Sequence, residues 1–139
     1  MTGSQRNIVN CLLAGAVGGL ANGLALWLLG ALAVTTALGF RMTPMLSPMF
    51  LLNRAFWGGL WGLVFLLPLL PGRPYLKGLV LSLLPSLVML VVVFPFRFNA
   101  GMFGLGLGSS APLFVLVLNA VWGLATAWTL LQLTRRSPV

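Results

Sequence analysis

Residues 7–40, NIVNCLLAGAVGGLANGLALWLLGALAVTTALGF, contain no charged side chain. About 20 consecutive apolar residues are enough for a helix to cross the hydrocarbon core of a bilayer, and this segment is longer. We therefore expect an integral membrane protein. The apolar run also exceeds the roughly 7–15 residues of a secretory signal, so we expect the first helix to be retained as a membrane anchor.

The composition of the whole chain agrees with a lipid environment. Hydrophobic residues make up 60% of the 139 residues, charged residues make up 6%, and the mean hydropathy is +1.08, whereas soluble domains are typically about one quarter charged. The chain has no Asp, Glu or His, the residue types that supply most acid–base and metal chemistry. We therefore predict a non-enzymatic protein with no catalytic residue, no cofactor and no metal site.

Apolar windows between helix-breaking residues predict an all-α fold, an integral membrane bundle of four transmembrane helices in a single domain. The predicted spans are roughly residues 8–38, 50–70, 76–94 and 112–133. The first exceeds the thickness of a bilayer, so we expect it to tilt, to protrude or to break, with an end near Gly30 or near residues 34–36.

Prolines mark several helix boundaries in this prediction. Pro95 is expected to stop the third helix, and Pro112 to lie in the first turn of the fourth, where its missing N–H costs nothing. Pro68 and Pro85 fall inside apolar runs and are expected to kink their helices.

The eight cations stand between apolar segments and form no basic stripe, which argues against nucleic acid as a partner and favours anionic lipid headgroups. Four spans place both termini on one side of the membrane. That side carries five cations and the other carries three: Arg6, Arg73, Lys77, Arg135 and Arg136 against Arg41, Arg54 and Arg97. The positive-inside rule then predicts that both termini lie in the cytoplasm.

Glycines recur at four-residue spacing, which allows helix backbones to approach closely in lipid. The predicted packing positions are Gly15, Gly19 and Gly23 in the first helix, Gly58 and Gly62 in the second, and Gly123 in the fourth. These ridges indicate packing within the bundle or, alternatively, a surface for self-association or for a partner.

Two amides and one arginine are the notable polar residues within the spans. Asn22 and Asn119 are expected to face the bundle, either as structural hydrogen bonds between helices or as the lining of a conduction path. Arg54 lies near the start of its helix and is expected to extend toward the headgroups as an anchor. Because the chain has no carboxylate side chain, we expect lipids or partner proteins to neutralise its cations. The predicted contact residues are Arg41, Arg54, Arg73, Lys77 and Arg97.

Two further motifs are ambiguous. The glycine-rich segment 101–108 indicates a flexible loop or, alternatively, a nest of N–H groups that binds an anion or a lipid phosphate. Met42, Met45 and Met49 could supply thioether ligands to copper(I), but interfacial packing is the favoured interpretation.

Several short motifs together resemble the YagU-like group of small bacterial inner-membrane proteins, over about residues 55–130. They are a helix that opens at Lys77-Gly78 and closes in Phe94-Pro95-Phe96, the loop Gly101-Met102-Phe103-Gly104-Leu105, and Val121-Trp122-Gly123 in the last helix. The resemblance implies a multi-pass fold and an inner-membrane location. Members often carry His where this chain has Asn119, so a proton-linked role does not carry over.

The functional prediction is a small accessory or scaffolding subunit that packs against other membrane proteins and anionic lipids. The alternative is a small homo-oligomeric channel or transporter for an anion or a neutral solute, since no carboxylate is present to couple protons or sodium.

Overall fold

A computed structural model describes residues 2–136, and every regular secondary-structure element among them is a helix. Four helices are long and apolar enough to cross a membrane: the first span Gly3–Ala31, the second span Pro48–Leu66, the third span Pro74–Arg97 and the fourth span Ala111–Arg135. The predicted four-helix membrane bundle is thereby confirmed, and the chain is a multi-pass membrane protein. Residues 137–139, for which we predict a cytoplasmic location, lie outside the described residues.

The first span is α1 (Gly3–Ala31), which begins earlier than the hydropathy predicts. Thr2 caps it: the Thr2 hydroxyl accepts a hydrogen bond from the N–H of Gln5 at 3.2 Å, and the Gln5 side chain accepts one from the N–H of Thr2 at 2.9 Å. This capping box stabilises a polar first turn that a hydropathy window does not register.

At its other end, the predicted helix 8–38 is wrong as a single element. Ala33 adopts the left-handed conformation, with φ of 60°, and separates α1 from the short turn α2 (Val34–Ala37). The break lies between the two places where an end is expected. Even so, the 29 residues of α1 extend about 44 Å, more than the roughly 30 Å of the hydrocarbon core, so α1 must tilt or protrude from it.

The second span consists of α3 (Pro48–Gly62) and a 3₁₀ turn, Leu63–Leu66. It ends earlier than the predicted residue 70 because Leu67 is extended, with ψ of 133°, the conformation that a following proline favours. Pro68 therefore lies beyond the helix, and the predicted kink at Pro68 is wrong.

The third span is interrupted near Pro85, as predicted. Helix α4 (Pro74–Leu81) is separated from α5 (Leu83–Val88) by a turn at Ser82. A proline lacks the N–H that would bond to the carbonyl four residues earlier, which loosens the helix at that point.

The same span continues through Pro95, contrary to the prediction that Pro95 stops it. Residues Met89–Arg97 form a π-helix with Pro95 inside. A π turn is wider than an α turn, so the chain absorbs the proline without leaving the helical path. The N–H of Phe98 bonds to the carbonyl of Val93 at 3.1 Å and closes this segment.

The fourth span is formed by α6 (Ala111–Arg136), with Pro112 in its first turn as predicted. Just before it, the Ser110 hydroxyl donates to the carbonyl oxygen of Leu38 at 2.8 Å. The start of α6 is thus tied to the loop that follows α2.

The first and third loops lie together at one end of the bundle. The N–H of Arg41 bonds to the carbonyl of Leu107 at 2.7 Å, and the Phe40 ring stacks on Phe114 with centroids 4.9 Å apart. Leu107 ends the 3₁₀ turn Met102–Leu107, which connects the third and fourth spans. These contacts form an ordered cap over this end.

The spans pack in an order different from that of the sequence. The first span lies in the middle and contacts both the second and the fourth, while the third packs mainly on the fourth. The principal contact between the second and third spans is at the end remote from the cap, where α4 meets the 3₁₀ turn Leu63–Leu66. Toward the cap these two spans diverge.

Three buried clusters surround the middle of the bundle. One includes Cys11, Phe65 and Trp122, away from the cap. The other two lie near the cap and include Leu26, Phe40 and Phe114 in one, and Leu90, Phe94 and Val115 in the other.

Candidate functional site

One hydrogen-bonded network of polar side chains connects all four spans. The Arg54 guanidinium donates to Oδ1 of Asn22 at 2.9 Å, and Nδ2 of Asn22 donates to the carbonyl of Leu118 at 2.9 Å and to Oδ1 of Asn119 at 3.3 Å. Nδ2 of Asn119 then donates to Oγ of Ser86 at 3.0 Å. The two asparagines thus face the bundle and lie next to each other.

Glycines bring the first and second spans close enough for this network to form. A Cβ atom added to Gly15 would lie 2.7 Å from Cα of Gly62, and one added to Gly58 would lie 2.6 Å from Cα of Gly19. The obstructing atoms belong to backbone, so no side chain fits at these positions without moving a helix. The close approach places Arg54 beside Asn22.

Glycines also mark the contacts of the fourth span. A Cβ on Gly123 would lie 2.8 Å from the carbonyl carbon of Gly78, and one on Gly18 would lie 2.7 Å from the carbonyl oxygen of Trp122. Gly18 lies beside the predicted ridge of the first span, whereas Gly78 has no glycine four residues before or after it and is not found by that spacing.

Arg54 is turned into the bundle, and the expectation that it reaches the headgroups as an anchor is wrong. Its stem occupies the space left by Gly23, where an added Cβ would lie 2.9 Å from Cγ of Arg54, and its Cζ lies 5.2 Å from the centre of the Phe50 ring. Among the described residues, Asn22 provides the one hydrogen-bond acceptor for this guanidinium, which has five N–H donors.

Lys77 and Arg41 have partners within the chain. Nζ of Lys77 donates to the carbonyl of Phe65 at 2.9 Å and lies 5.9 Å from the centre of the Phe65 ring. The carbonyl belongs to the last turn of the second span, where a cation is favoured. The Arg41 guanidinium donates to the carbonyl of Gly106, so it stabilises the cap.

Arg97 and Arg73 are exposed, at opposite ends of the third span. Arg97 lies at the end where the second and third spans diverge. Arg73 precedes the first turn of α4, at the other end.

A cleft of about 410 Å³ lies between the diverging second and third spans. Its polar lining consists of Asn22, Asn53, Arg54, Arg97 and Asn119. Its apolar walls include Trp57, Trp61, Val88, Met89, Phe94 and Trp122. The volume is typical of cavities that hold a small molecule. Asn22, Arg54 and Asn119 line this cleft, so the network forms part of its wall.

The two alternative ligand motifs are not assembled. In the glycine-rich loop the N–H groups of Gly104, Gly106 and Gly108 all donate to carbonyl oxygens of the same loop, at 2.6–3.1 Å, so they are not directed at an anion. Met45 and Met49 are 83% and 71% exposed, whereas Met42 packs against the buried clusters near the cap. The three sulfur atoms therefore do not share one site.

The cleft brings together several groups of the kind that bind anions in proteins. It presents a guanidinium with unused N–H donors, a second cation near its mouth, and amide groups held in fixed orientation. Sequence reasoning finds these residues individually but misses their convergence, and it misses Ser86, whose position within an apolar run carries no local signal of contact with Asn119.

Comparison of the chain with protein-family models, with curated proteins and with solved structures finds no match. The resemblance to the YagU-like group stays a prediction. The class defined by the fold and the site is that of a multi-pass membrane protein with a cationic cleft between two of its spans.

Proposed function

We propose that the protein is a non-enzymatic accessory protein of the bacterial inner membrane that holds an anionic partner, a lipid or a membrane-protein subunit. The observation that carries the proposal is the position of Arg54, partly buried within the bundle and bonded to the neutral Asn22. The chain contains no Asp or Glu side chain. The counter-charge of Arg54 must therefore come from another molecule.

The energetic argument is that an arginine within a membrane helix is costly without compensation. Placing Arg at the centre of a spanning helix costs about 2.5–3.5 kcal/mol on the insertion scale, which is an upper bound for Arg54 because it lies nearer the start of its helix. A bond to a neutral amide is worth roughly 0.6–2 kcal/mol in a membrane protein. An anion at the guanidinium offsets the remainder, and this makes partner binding the role that the site supports best.

The proposed topology, with both termini cytoplasmic, follows from the distribution of cations in the sequence. The first and third loops share one end of the bundle, as expected when four antiparallel spans place both termini at the opposite end. On this topology the mouth of the cleft faces the extracytoplasmic leaflet.

The proposal is tested by native mass spectrometry of the protein released from its own membranes in mild detergent. We expect an additional mass, lipid or polypeptide, at fixed stoichiometry. It should be lost in Arg54→Gln and kept in Arg73→Gln, which removes one exposed charge away from the cleft. Recovery of the bare wild-type chain, with stability unaffected by Arg54→Gln, would contradict the proposal.

A second candidate, a transporter of anions, is favoured by one observation. A smaller cavity of about 210 Å³, lined by Asn7, Asn10 and Thr134 among others, lies on the far side of the bundle from the cap. Phe65 lines this cavity and Trp122 lines the cleft, and the two rings pack edge to face with centroids 5.9 Å apart. Transport would require this aromatic pair to separate. Measurement of anion flux in proteoliposomes, with Trp122→Ala expected to accelerate it, distinguishes this role.

A further inference from the structure

We infer that the cleft between the second and third spans binds one membrane lipid with an anionic phosphate headgroup, with the phosphate at Arg54 and Arg97 and an acyl chain along the apolar walls. This inference rests on the proposed function and names the partner. It treats Arg54 and Arg97 as parts of a single site and not as separate surface contacts.

The first step is the charge of the site. Arg54 and Arg97 line the same cleft, and its other polar lining residues are the neutral Asn22, Asn53 and Asn119. The lining therefore has a formal charge of +2, from one arginine on each diverging span, with no acidic group to balance it. Guanidinium groups bind phosphate oxygens in a bidentate manner, and anionic lipids are the membrane components that carry such a phosphate.

The second step is the shape of the site, which distinguishes a lipid from a free anion. Beyond the polar groups, the lining is aliphatic and aromatic, from Trp57 and Trp61 on one span to Val88, Met89 and Val93 on the other. A small hydrated anion gains nothing from such walls, whereas an acyl chain packs against them by van der Waals contact. The second and third spans diverge from each other, which opens the cleft toward the bilayer. A lipid therefore enters the cleft laterally.

The third step is the depth of Arg54 below the lipid headgroups. Arg54 is six residues beyond Pro48, the first residue of α3, which corresponds to roughly 9 Å along the helix axis. A phosphate at Arg54 therefore lies below the level of the headgroups, and Arg97 at the end of the third span lies between it and the surface. The volume of about 410 Å³ lies in the range of sites that hold a small molecule, a size that suits a headgroup with part of an acyl chain.

The test uses the tryptophans of the cleft as reporters. The full chain with Trp27→Phe and Trp128→Phe retains only Trp57, Trp61 and Trp122, all of which line the cleft. The protein is reconstituted in phosphatidylcholine vesicles containing dibrominated phosphatidylglycerol or, in parallel, dibrominated phosphatidylcholine. Bromine quenches tryptophan on contact. We expect phosphatidylglycerol to quench at a mole fraction about tenfold lower than phosphatidylcholine, the ratio for one charge-assisted hydrogen bond.

Variants test whether the two arginines cause the preference for phosphatidylglycerol over phosphatidylcholine. Arg54→Gln and Arg97→Gln should each bring the two lipids close to equal quenching, Arg54→Lys should retain part of the preference, and Arg73→Gln should retain all of it. Arg97 is exposed, so Arg97→Gln keeps the inference testable if Arg54→Gln unfolds the bundle.

Three results would overturn the inference. They are equal quenching by the two lipids in the parent protein, an undiminished preference in both glutamine variants, and relief of quenching by inorganic phosphate in the buffer, which would indicate a site for a free anion. A polypeptide held through Arg54 in native membranes, without any lipid preference, would refute the lipid and leave the proposed function intact. If neither a lipid nor a polypeptide is bound, both the lipid inference and the proposed function are refuted.

Discussion

Replacing Gly19 by alanine should weaken the contact between the first and second spans and disturb the arginine network. The new Cβ would lie 2.8 Å from the carbonyl carbon of Arg54 and 3.1 Å from Cα of Gly58, and still closer to the carbonyl oxygen of Arg54. These are backbone atoms, so the helices must separate. Overpacking of this kind costs about 1–3 kcal/mol, and weakening the bond between Arg54 and Asn22 adds at most about 2 kcal/mol.

The matched control is Gly30→Ala in the same helix. Its Cβ would lie 3.6 Å from the nearest atom of Thr43, an ordinary contact, and alanine is favoured over glycine within a helix by about 0.5–1 kcal/mol. Unfolding in mixed micelles, followed by tryptophan fluorescence, measures both variants. We expect Gly19→Ala to be less stable than Gly30→Ala by about 2 kcal/mol or more. Equal stabilities would show that the two backbones are not in contact and would refute the packing argument.

Three further predictions concern the polar contacts and the topology. Asn22→Leu should lower the free energy of unfolding by about 1–2 kcal/mol in the same micelle assay, since it removes bonds to two other spans. Arg41→Ala should accelerate amide hydrogen exchange in the turn Met102–Leu107 and leave the first span unchanged, because the Arg41 guanidinium bonds to a carbonyl of that turn; unchanged exchange would contradict a role in the cap. Cysteine introduced at Thr2, in a Cys11→Ser background, should be labelled by an impermeant maleimide only after the inner membrane is opened, and labelling of intact spheroplasts would refute the proposed topology.

The number and type of spanning helices could be predicted from the sequence because lipid imposes a simple rule on length and hydropathy. The ends of the helices and their irregular turns could not be predicted in this way. Pro95 illustrates this, since the same residue can stop a helix or be absorbed in a π turn, and the outcome depends on the packing around it. Thr2 extends the first span by a capping box that an apolar window ignores.

The site was predictable only in its components. Asn22 and Asn119 can be identified as polar residues within spans, but their contact at 3.3 Å depends on the register between the first and fourth helices. Arg54 shows the same limit more clearly. Its position near a helix start favours an outward side chain, and only the gap at Gly23 and the acceptor on Asn22 explain why it turns inward.

The order in which the spans pack has a consequence for biogenesis. The first two spans form their contact as a hairpin as soon as both have entered the bilayer, whereas the third span emerges before its main neighbour, the fourth, has been synthesised. During that interval its hydroxyl groups face lipid or the translocation machinery. The Ser82 and Ser86 hydroxyls donate to carbonyls of their own helix, at 2.6 and 2.8 Å, so these two hydroxyls need no donor partner on the fourth span before it arrives and Asn119 completes the bundle.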